Sequence, residues 1–466
     1  MNSPVILPAS REPKTWRAGT LAYTGGGVVI LFCWLLFGDF AWSMRDRSVG
    51  PMAQWYLNSL SVPNLVFGLL MSSLPALISV VLAPVISVKS DRHRGRFGRR
   101  IPFLLITTPF AAAGMIGLGL TPIVARWVHG HFPGQSEMLV SVVCFGVFWS
   151  AFEFATIASQ AVFGGLINDV VPKPLLGRFY GLFRAVSLID GIIFNYWIMG
   201  KVPGHFTLIL CIIGTFYGAS FMLVCFKVKE GDYPPSLAPA ALARPSAAIA
   251  GAGPIRFLSE VKRYCKECFT NPYYIALFIL IKVAVMTFSP INTFSIPYAR
   301  SLGVSMDTYG KCLALTFTIS FSLSFFLGWL ADAIHPLRMA ILTLAAYIVV
   351  AIWGRFYVNT AGTFLMAWVA HGVISGCYFT SAASLQARLF PQSRYGQFAS
   401  AVGVCTTAAN MTLIPLVGLM IDRTGGAYRH AFTVAIILGV LALIAGLYVH
   451  TRFMKLGGPA GYVAPE

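Results

Sequence analysis

Ser90–Phe103 reads SDRHRGRFGRRIPF, which is five arginines and one aspartate in fourteen residues. The segments on either side are apolar enough to be membrane spans. An Arg, Lys or Asp at the centre of a span costs about 2.5–3.5 kcal/mol on insertion scales. The stretch is therefore a short turn between two helices. Lys and Arg concentrate on the cytoplasmic side of membranes, which places the turn there.

The rest of the composition agrees with a membrane protein. The 466 residues are 57% hydrophobic and 11% charged, with a mean hydropathy of +0.74. Soluble domains carry about 25% charged residues. The length suits about twelve spans of ~20–25 residues plus loops. A net charge of +18 would suit nucleic acid, but the basic residues gather in alternate short loops, so no nucleic-acid partner is expected. The N-terminal Arg11, Lys14 and Arg17 precede a long apolar stretch rather than a short signal sequence. Nine cysteines, mostly inside spans, imply no disulfide framework. Cys265 and Cys268 form a CxxC with no second pair or nearby His, so no metal site is expected.

Hydropathy places spans at about 28–54, 63–88, 101–122, 138–166, 179–200 and 205–226. Six more follow at about 273–298, 306–330, 338–358, 362–386, 397–420 and 429–449. Between the sets runs an Ala/Pro-rich and then basic amphipathic stretch, read as a cytoplasmic linker with a surface helix. The domain reading is a six-helix bundle over 1–226, a linker over 227–271 and a second bundle over 272–466. The halves echo one another. Ser90-Asp-Arg closes the second span, and Ala331-Asp-Ala closes the eighth. Pro172-KPLL-Gly177 follows the fourth span and Pro391-QSRY-Gly396 the tenth, with the same Pro-to-Gly spacing. The fold class is an all-α membrane protein of twelve helices in two pseudo-symmetric bundles, the major facilitator architecture, whose substrate site lies between the halves near the midplane.

Ionisable residues within spans are functional candidates, because they are costly unless paired or facing a polar cavity. In the first span Asp39, Ser43, Asp46, Arg47, Gly50 and Gln54 fall within a wedge of about 100°, with Arg45 beside them. The stripe reads either as an ion-pair cluster holding helices together or as a cavity wall. Glu153 shares a face of the fourth span with Gln160 and Gly164, and no basic residue lies in that span. Such a carboxyl is a candidate proton carrier, or it is neutralised by an arginine from a neighbouring helix. The fifth span carries Arg184 and Asn195 on one face and Asp190 on another. Lys282 and His371 lie mid-span, and Pro290 with Asn292 is expected to interrupt the seventh span. Phosphate-loop, zinc and nucleophile-elbow motifs are absent, so neither an enzyme nor an ATP-driven pump is expected. Scattered carboxylates, no ATP motif and two halves point to ion-coupled secondary transport.

These residues resemble a known family. Gly38-Asp-Phe-Ala-Trp42, Pro51 and Gln54 resemble the first helix of plant sucrose–proton symporters. Ser90-Asp-Arg, Arg96-Phe-Gly-Arg-Arg100 and Pro102-Phe103 look very like their loop between helices 2 and 3. Asp169 resembles the aspartate ending their fourth helix, and sixteen residues earlier Glu153 falls on their proton-transfer acid. The wider group of glycoside–pentoside–hexuronide cation symporters shares the helix 1 motif, and its sugar-liganding aspartate falls on Asp39. The resemblance covers most of the N-terminal half in specific motifs and the C-terminal half in general pattern. Two departures stand out. Ser79 and Ala83 occupy the places of the sodium-binding carboxylates, which argues for a proton rather than sodium. Gly164 stands where the sucrose carriers have a sugar-binding arginine, a place Arg45 or Arg47 could take.

The resulting expectation is a proton-coupled sugar symporter, for a glucoside or disaccharide such as sucrose or maltose, with no cofactor. Proton coupling falls to Glu153, with Asp190 as the alternative. Substrate contacts fall to Asp39, Trp42, Arg45, Asp46, Arg47, Gln54, Gln160, Asn195, Lys282, Asn292 and His371. Asp91, Arg92, Arg96, Gly98, Arg99, Arg100, Asp169 and Arg178, with Asp332 in the second half, form the expected cytoplasmic gate. The expected setting is a monomer in the inner or plasma membrane with both termini cytoplasmic. The alternatives are a carrier of anionic solutes such as uronates or organic acids, and a non-transporting sensor on the same fold.

Overall fold

The computed structural model describes residues 15–232, 266, 268–391 and 395–465. Twelve long helices dominate it. In the first half they are α1 (Gly25–Ser59), α2 (Asn64–Asp91), α3 (Ile101–His131), α4 (Glu137–Val170), α5 (Leu176–Ile193) and α6 (Val202–Lys227). In the second they are α7 (Pro272–Ser301), α8 (Met306–Ile334), α9 (Pro336–Tyr357), α10 (Ala361–Ala382), α11 (Tyr395–Arg423) and α12 (His430–Lys455). Ten stretches among the described residues are long and apolar enough to cross a membrane. One of them, Lys173–Lys227, runs 55 residues and holds both α5 and α6. The chain breaks between them through a π turn (Phe194–Ile198), a 3₁₀ turn (Met199–Lys201) and a non-helical His205. Helix α8, at 29 residues, has the length needed for a ~30 Å hydrocarbon core.

Several helix ends explain themselves. Ser136 accepts from the Leu139 N–H to cap α4, and Ser305 does the same for Thr308 at α8. Thr360 and Thr363 form a reciprocal capping box at α10. Gly98, at φ +96°, turns the arginine loop into α3, a conformation open to glycine but strained for other residues.

The packing repeats with a period of six helices. Helix α1 packs on α6, α2 on α4, α3 on α4, and α3 on α6; six helices later α7 packs on α12, α8 on α10, α9 on α10, and α9 on α12. Between the halves α2 lies along α11 and α5 along α8, a reciprocal pair, while α1 meets α7. Sequence and structure differ at several points. Helix α3 runs on to His131, past the expected end at 122, because its RWVHGH ending still forms helix. The expected break at Pro290 does not occur. Helix α7 continues through Pro290 and Pro297, each of which removes a single N–H, and its irregularity is a π turn at Ile279–Val283. A short antiparallel pair, β1 (Trp16–Ala18) and β2 (Leu21–Tyr23), precedes α1 and was not anticipated. Most of the 227–271 linker, including its surface helix and Cys265, lies outside the described residues, as do the side chains of Arg92 and Asp332.

Hydrogen bonds between the halves mark where they close. Asp422, at the end of α11, accepts from the Asn64 N–H (3.0 Å), the Asn64 side chain (2.8 Å) and the Leu65 N–H (2.9 Å) at the start of α2. Ser72 donates to the Asn410 carbonyl at 2.8 Å, and Arg300 to Asn58 at 3.0 Å. A Cβ at Gly418 would strike the Asn64 carbonyl, so glycine there permits this approach. This end is opposite to the arginine loop. Asp422 is exposed, so its three bonds are discounted to about 1 kcal/mol in total. Asp422→Ala should therefore shift the balance toward opening at this end by roughly fivefold. Faster alkylation of an Asn410→Cys reporter from that side would show it; an unchanged rate would mean the bonds do not hold the end shut.

Candidate functional site

Helix α1 divides its charges between two polar clusters. On one side Arg45, only 1% exposed, lies with its guanidinium 4.0 Å from the Trp42 ring centre and 5.2 Å from that of Tyr217 on α6. Its Nη1 reaches Thr156 Oγ1 on α4 at 3.5 Å. Glu153, one turn before Thr156, is half-buried and feels the charges of both Arg45 and Asp46. The arginine nearest in charge to Glu153 is Arg45 of α1. It acts on Glu153 at a distance, with no ion pair between the two among the described residues. Trp42 is not placed to stack on a ligand. Its faces are occupied by Arg45 and by Phe163, stacked at 5.1 Å, so it serves as a platform for the guanidinium.

On the other side Arg47 donates to Ser187 of α5 at 2.9 Å and lies 4.9 Å over the Phe317 ring of α8. That anchoring brings its charge to bear on Asp190, one turn beyond Ser187, and Asp39 acts on Asp190 as well. Asp39 and Asp190 are both fully buried. Ser43 donates to Asp39 Oδ1 at 3.3 Å, while Asp39 Oδ2 and both Asp190 oxygens have no hydrogen-bond partner among the described residues. Buried polar atoms are nearly always satisfied, so this grouping is the candidate site.

The sequence stripe on α1 is therefore split. Asp39 and Ser43 are buried against α5, whereas Asp46 is exposed and Arg47, Gly50 and Gln54 are partly open. On α4 Gln160 is exposed and on α5 Arg184 is exposed, while Asn195, in the π turn after α5, is buried and bonded to the Gly191 carbonyl at 2.8 Å. In the second half Lys282 sits half-buried in the π turn of α7. Asn292 is exposed and bonds to His371, which is buried on α10. Four residues missed from sequence complete these clusters: Thr156, Ser187, Tyr217 and Tyr347. All are neutral, and only their tertiary placement distinguishes them.

At the arginine loop Arg99 and Arg100 reach carboxylates of the first half. Arg99 makes a two-pronged bond to Asp169 at the end of α4, Nε at 2.9 Å and Nη2 at 2.5 Å. Arg100 reaches Asp169 at 3.4 Å, Asp91 at 2.5 Å and Ser90 Oγ at 2.6 Å. Glu230, just past α6, accepts from the backbone N–H groups of Arg99 (2.9 Å), Arg100 (2.8 Å) and Ile101 (2.6 Å). It thereby caps the start of α3, where a carboxylate suits the helix dipole. Gly98 fits against Glu230, which a Cβ there would strike. Arg96 and Arg178 are exposed. Glu230 was not anticipated, since an acid after a span reads as an ordinary loop charge. Among the described residues no group of His, Cys, Asp and Glu could hold a metal ion.

Residues 274–461 match the Major Facilitator Superfamily. No curated protein matches the chain in sequence. Solved structures of similar fold include an inward-facing, unoccupied bacterial homologue of the human lysosomal transporter Spinster. It has a TM-score of 0.64 and 13% identity over 92% of this chain and 97% of that one. The xylose transporter XylE from E. coli, inward open, gives 0.61 and 13% over 91% and 95%. The nucleoside transporter NupG gives 0.63 and 11% over 91% and 100%. The fold is that of the major facilitator transporters, two six-helix bundles.

Proposed function

We propose that the chain is a proton-coupled sugar symporter that works by alternating access between its two halves. The observation that carries this reading is the charged core of α1: Arg45 held on Trp42 beside Glu153, and Asp39 held beside Asp190 and Arg47, all within one bundle. Charges of that density inside a span are expensive unless they serve a pathway. The fold's similarity to carriers of xylose and of nucleosides does not choose among substrates. The choice rests on the resemblance of the α1 and arginine-loop motifs to sugar symporters.

In this reading Asp46, Arg47 and Gln54 face the space between the halves and hydrogen-bond sugar hydroxyls. Glu153 takes a proton from outside and releases it inside, and Arg45 holds Glu153 in place and answers its change of charge. With the arginine loop on the cytoplasmic side, as its charge implies, the Asp422–Asn64 contacts shut the outer end and the state is inward-facing. The Asp91–Arg100–Asp169 cluster keeps the inner ends of α2, α3 and α4 moving as one body. A second reading, carriage of an anionic solute, draws support from exposed Arg184 and partly open Arg47 and Lys282.

Competition decides between the two. Uptake of labelled maltose and sucrose into proteoliposomes should be inhibited by excess unlabelled neutral disaccharide and left unaffected by glucuronate. Inhibition by glucuronate alone would move the substrate class to acids.

A further inference from the structure

The hydrogen bonds around His371 fix more than the position of a histidine. Tyr347 Oη lies 2.7 Å from His371 Nδ1, and His371 Nε2 lies 3.0 Å from Asn292 Oδ1. Tyr347 and His371 are buried. The imidazole is stacked on Trp368 at 5.3 Å with the planes 10° apart, and Phe288 meets the Tyr347 ring edge-on at 4.6 Å. Asn292 is the exposed end of this chain of three. Helix α7 packs on α1 of the first half as well as on α10, α11 and α12, and on the proposed reading its exposed Asn292 opens on the space between the halves.

Proton accounting selects one arrangement. A neutral imidazole has one donor and one acceptor nitrogen, a tyrosine hydroxyl has one hydrogen, and an asparagine amide has two donors on nitrogen and an acceptor oxygen. If Nδ1 carried the ring hydrogen, the Tyr347 oxygen would accept it. The hydroxyl's own hydrogen would then need another acceptor, and His371 is the one hydrogen-bond partner Tyr347 shows among the described residues. A doubly protonated ring creates the same orphan and adds a buried charge. A buried donor left unmade costs about 1–3 kcal/mol. With the hydrogen on Nε2 every group is satisfied: Tyr347 donates to Nδ1, and Nε2 donates to Asn292 Oδ1. The amide nitrogen of Asn292 then points outward with its two hydrogens.

We infer that Tyr347 and His371 are positioning residues that lock Asn292 as a hydrogen-bond donor toward the transport cavity, selecting substrates that present an oxygen acceptor there. His371 is thereby moved from the ligand set to the support behind it. This deepens the proposed function and rests on that reading for the cavity's role, whereas the proton arrangement stands independently of it.

Two arms test the inference. In the first, histidine-labelled full-length protein in lipid bilayers is examined by nitrogen NMR, with the His371 signal identified by its loss in His371→Gln. The expected signal is the neutral Nε2–H tautomer, and Tyr347→Phe should release it to a mixture. An Nδ1–H tautomer or an imidazolium in the wild type would overturn the inference. In the second, binding of maltose is compared with that of its monodeoxy and monodeoxyfluoro derivatives. Fluorine can accept but not donate, so at one hydroxyl position the fluoro derivative should bind within about twofold of maltose. The deoxy derivative there should bind about tenfold more weakly, and Asn292→Ala or Tyr347→Phe should erase the difference. Equal weakening by fluoro and deoxy at every position would show that no hydroxyl accepts a hydrogen bond from Asn292, and would overturn the inference. If the wild type binds no maltose at all, the sugar reading fails, and the tautomer alone decides the relay.

Discussion

Replacing Glu153 by glutamine is expected to abolish pH-driven accumulation while leaving exchange of internal for external substrate intact. The amide keeps the size and hydrogen-bonding capacity of the acid and loses the exchangeable proton. One proton moving down 100 mV carries about 2.3 kcal/mol, which at equilibrium supports roughly fifty-fold accumulation. Without a proton carrier the ratio should fall to about one, the equilibrium for facilitated exchange. The position supports this role: Glu153 is half-buried on α4, one turn from Thr156, with Arg45 acting on it from α1 and making no ion pair with it. Accumulation measured in proteoliposomes with an imposed pH gradient, beside counterflow of preloaded substrate, separates the two activities. Accumulation that persists in Glu153→Gln would move the proton site elsewhere, with Asp190 next in line. Loss of both activities would show that Glu153 is needed for the fold or for binding.

The second large effect is expected at Asp169. This one carboxylate accepts from two guanidiniums, in a two-pronged bond from Arg99 and a longer one from Arg100. Its side chain is 13% exposed, and those of the arginines are 20% and 10%. Removing it takes away the two-pronged partner of Arg99 and one of the two carboxylates that Arg100 touches, the other being Asp91. Breaking a buried ion pair from one side costs about 3–5 kcal/mol, and partial exposure places this case near about 3 kcal/mol. Asp169→Ala should therefore lower the unfolding midpoint in detergent markedly. Arg96→Ala, at an exposed position in the same loop, should change stability by less than about 0.5 kcal/mol. Equal effects of the two substitutions would mean that loop charge, rather than the Asp169 clamp, sets the stability.

The spans were legible because hydropathy alone determines them. A run such as Val140–Ala155 has little choice but to be a membrane helix, and the repeat of motifs six helices apart revealed the two halves. Boundaries were less legible. The RWVHGH end of α3 is polar enough to look like loop, and Pro290 looks like a break although the loss of one N–H leaves a long helix intact. Within the site the charges announced themselves, since Asp39, Arg45, Glu153 and Asp190 have no cheap reason to be in spans. Their partners did not. Thr156, Ser187, Tyr217 and Tyr347 are ordinary residues whose roles come from which helix faces which. The end contacts were hidden for the same reason. Asp422 and Glu230 read as loop acids, and only the folded chain sets one at the start of α2 and the other at the start of α3.

On the proposed reading, sugar and proton move together. The measurement that tests it most directly is the pH of a lightly buffered suspension of proteoliposomes holding the purified full-length protein, recorded as maltose or sucrose is added outside. A transient alkalinisation is expected on adding the sugar, abolished by a protonophore, unaffected by sodium and absent in Glu153→Gln. Sugar entry with no pH change, or a signal that requires sodium, would contradict it.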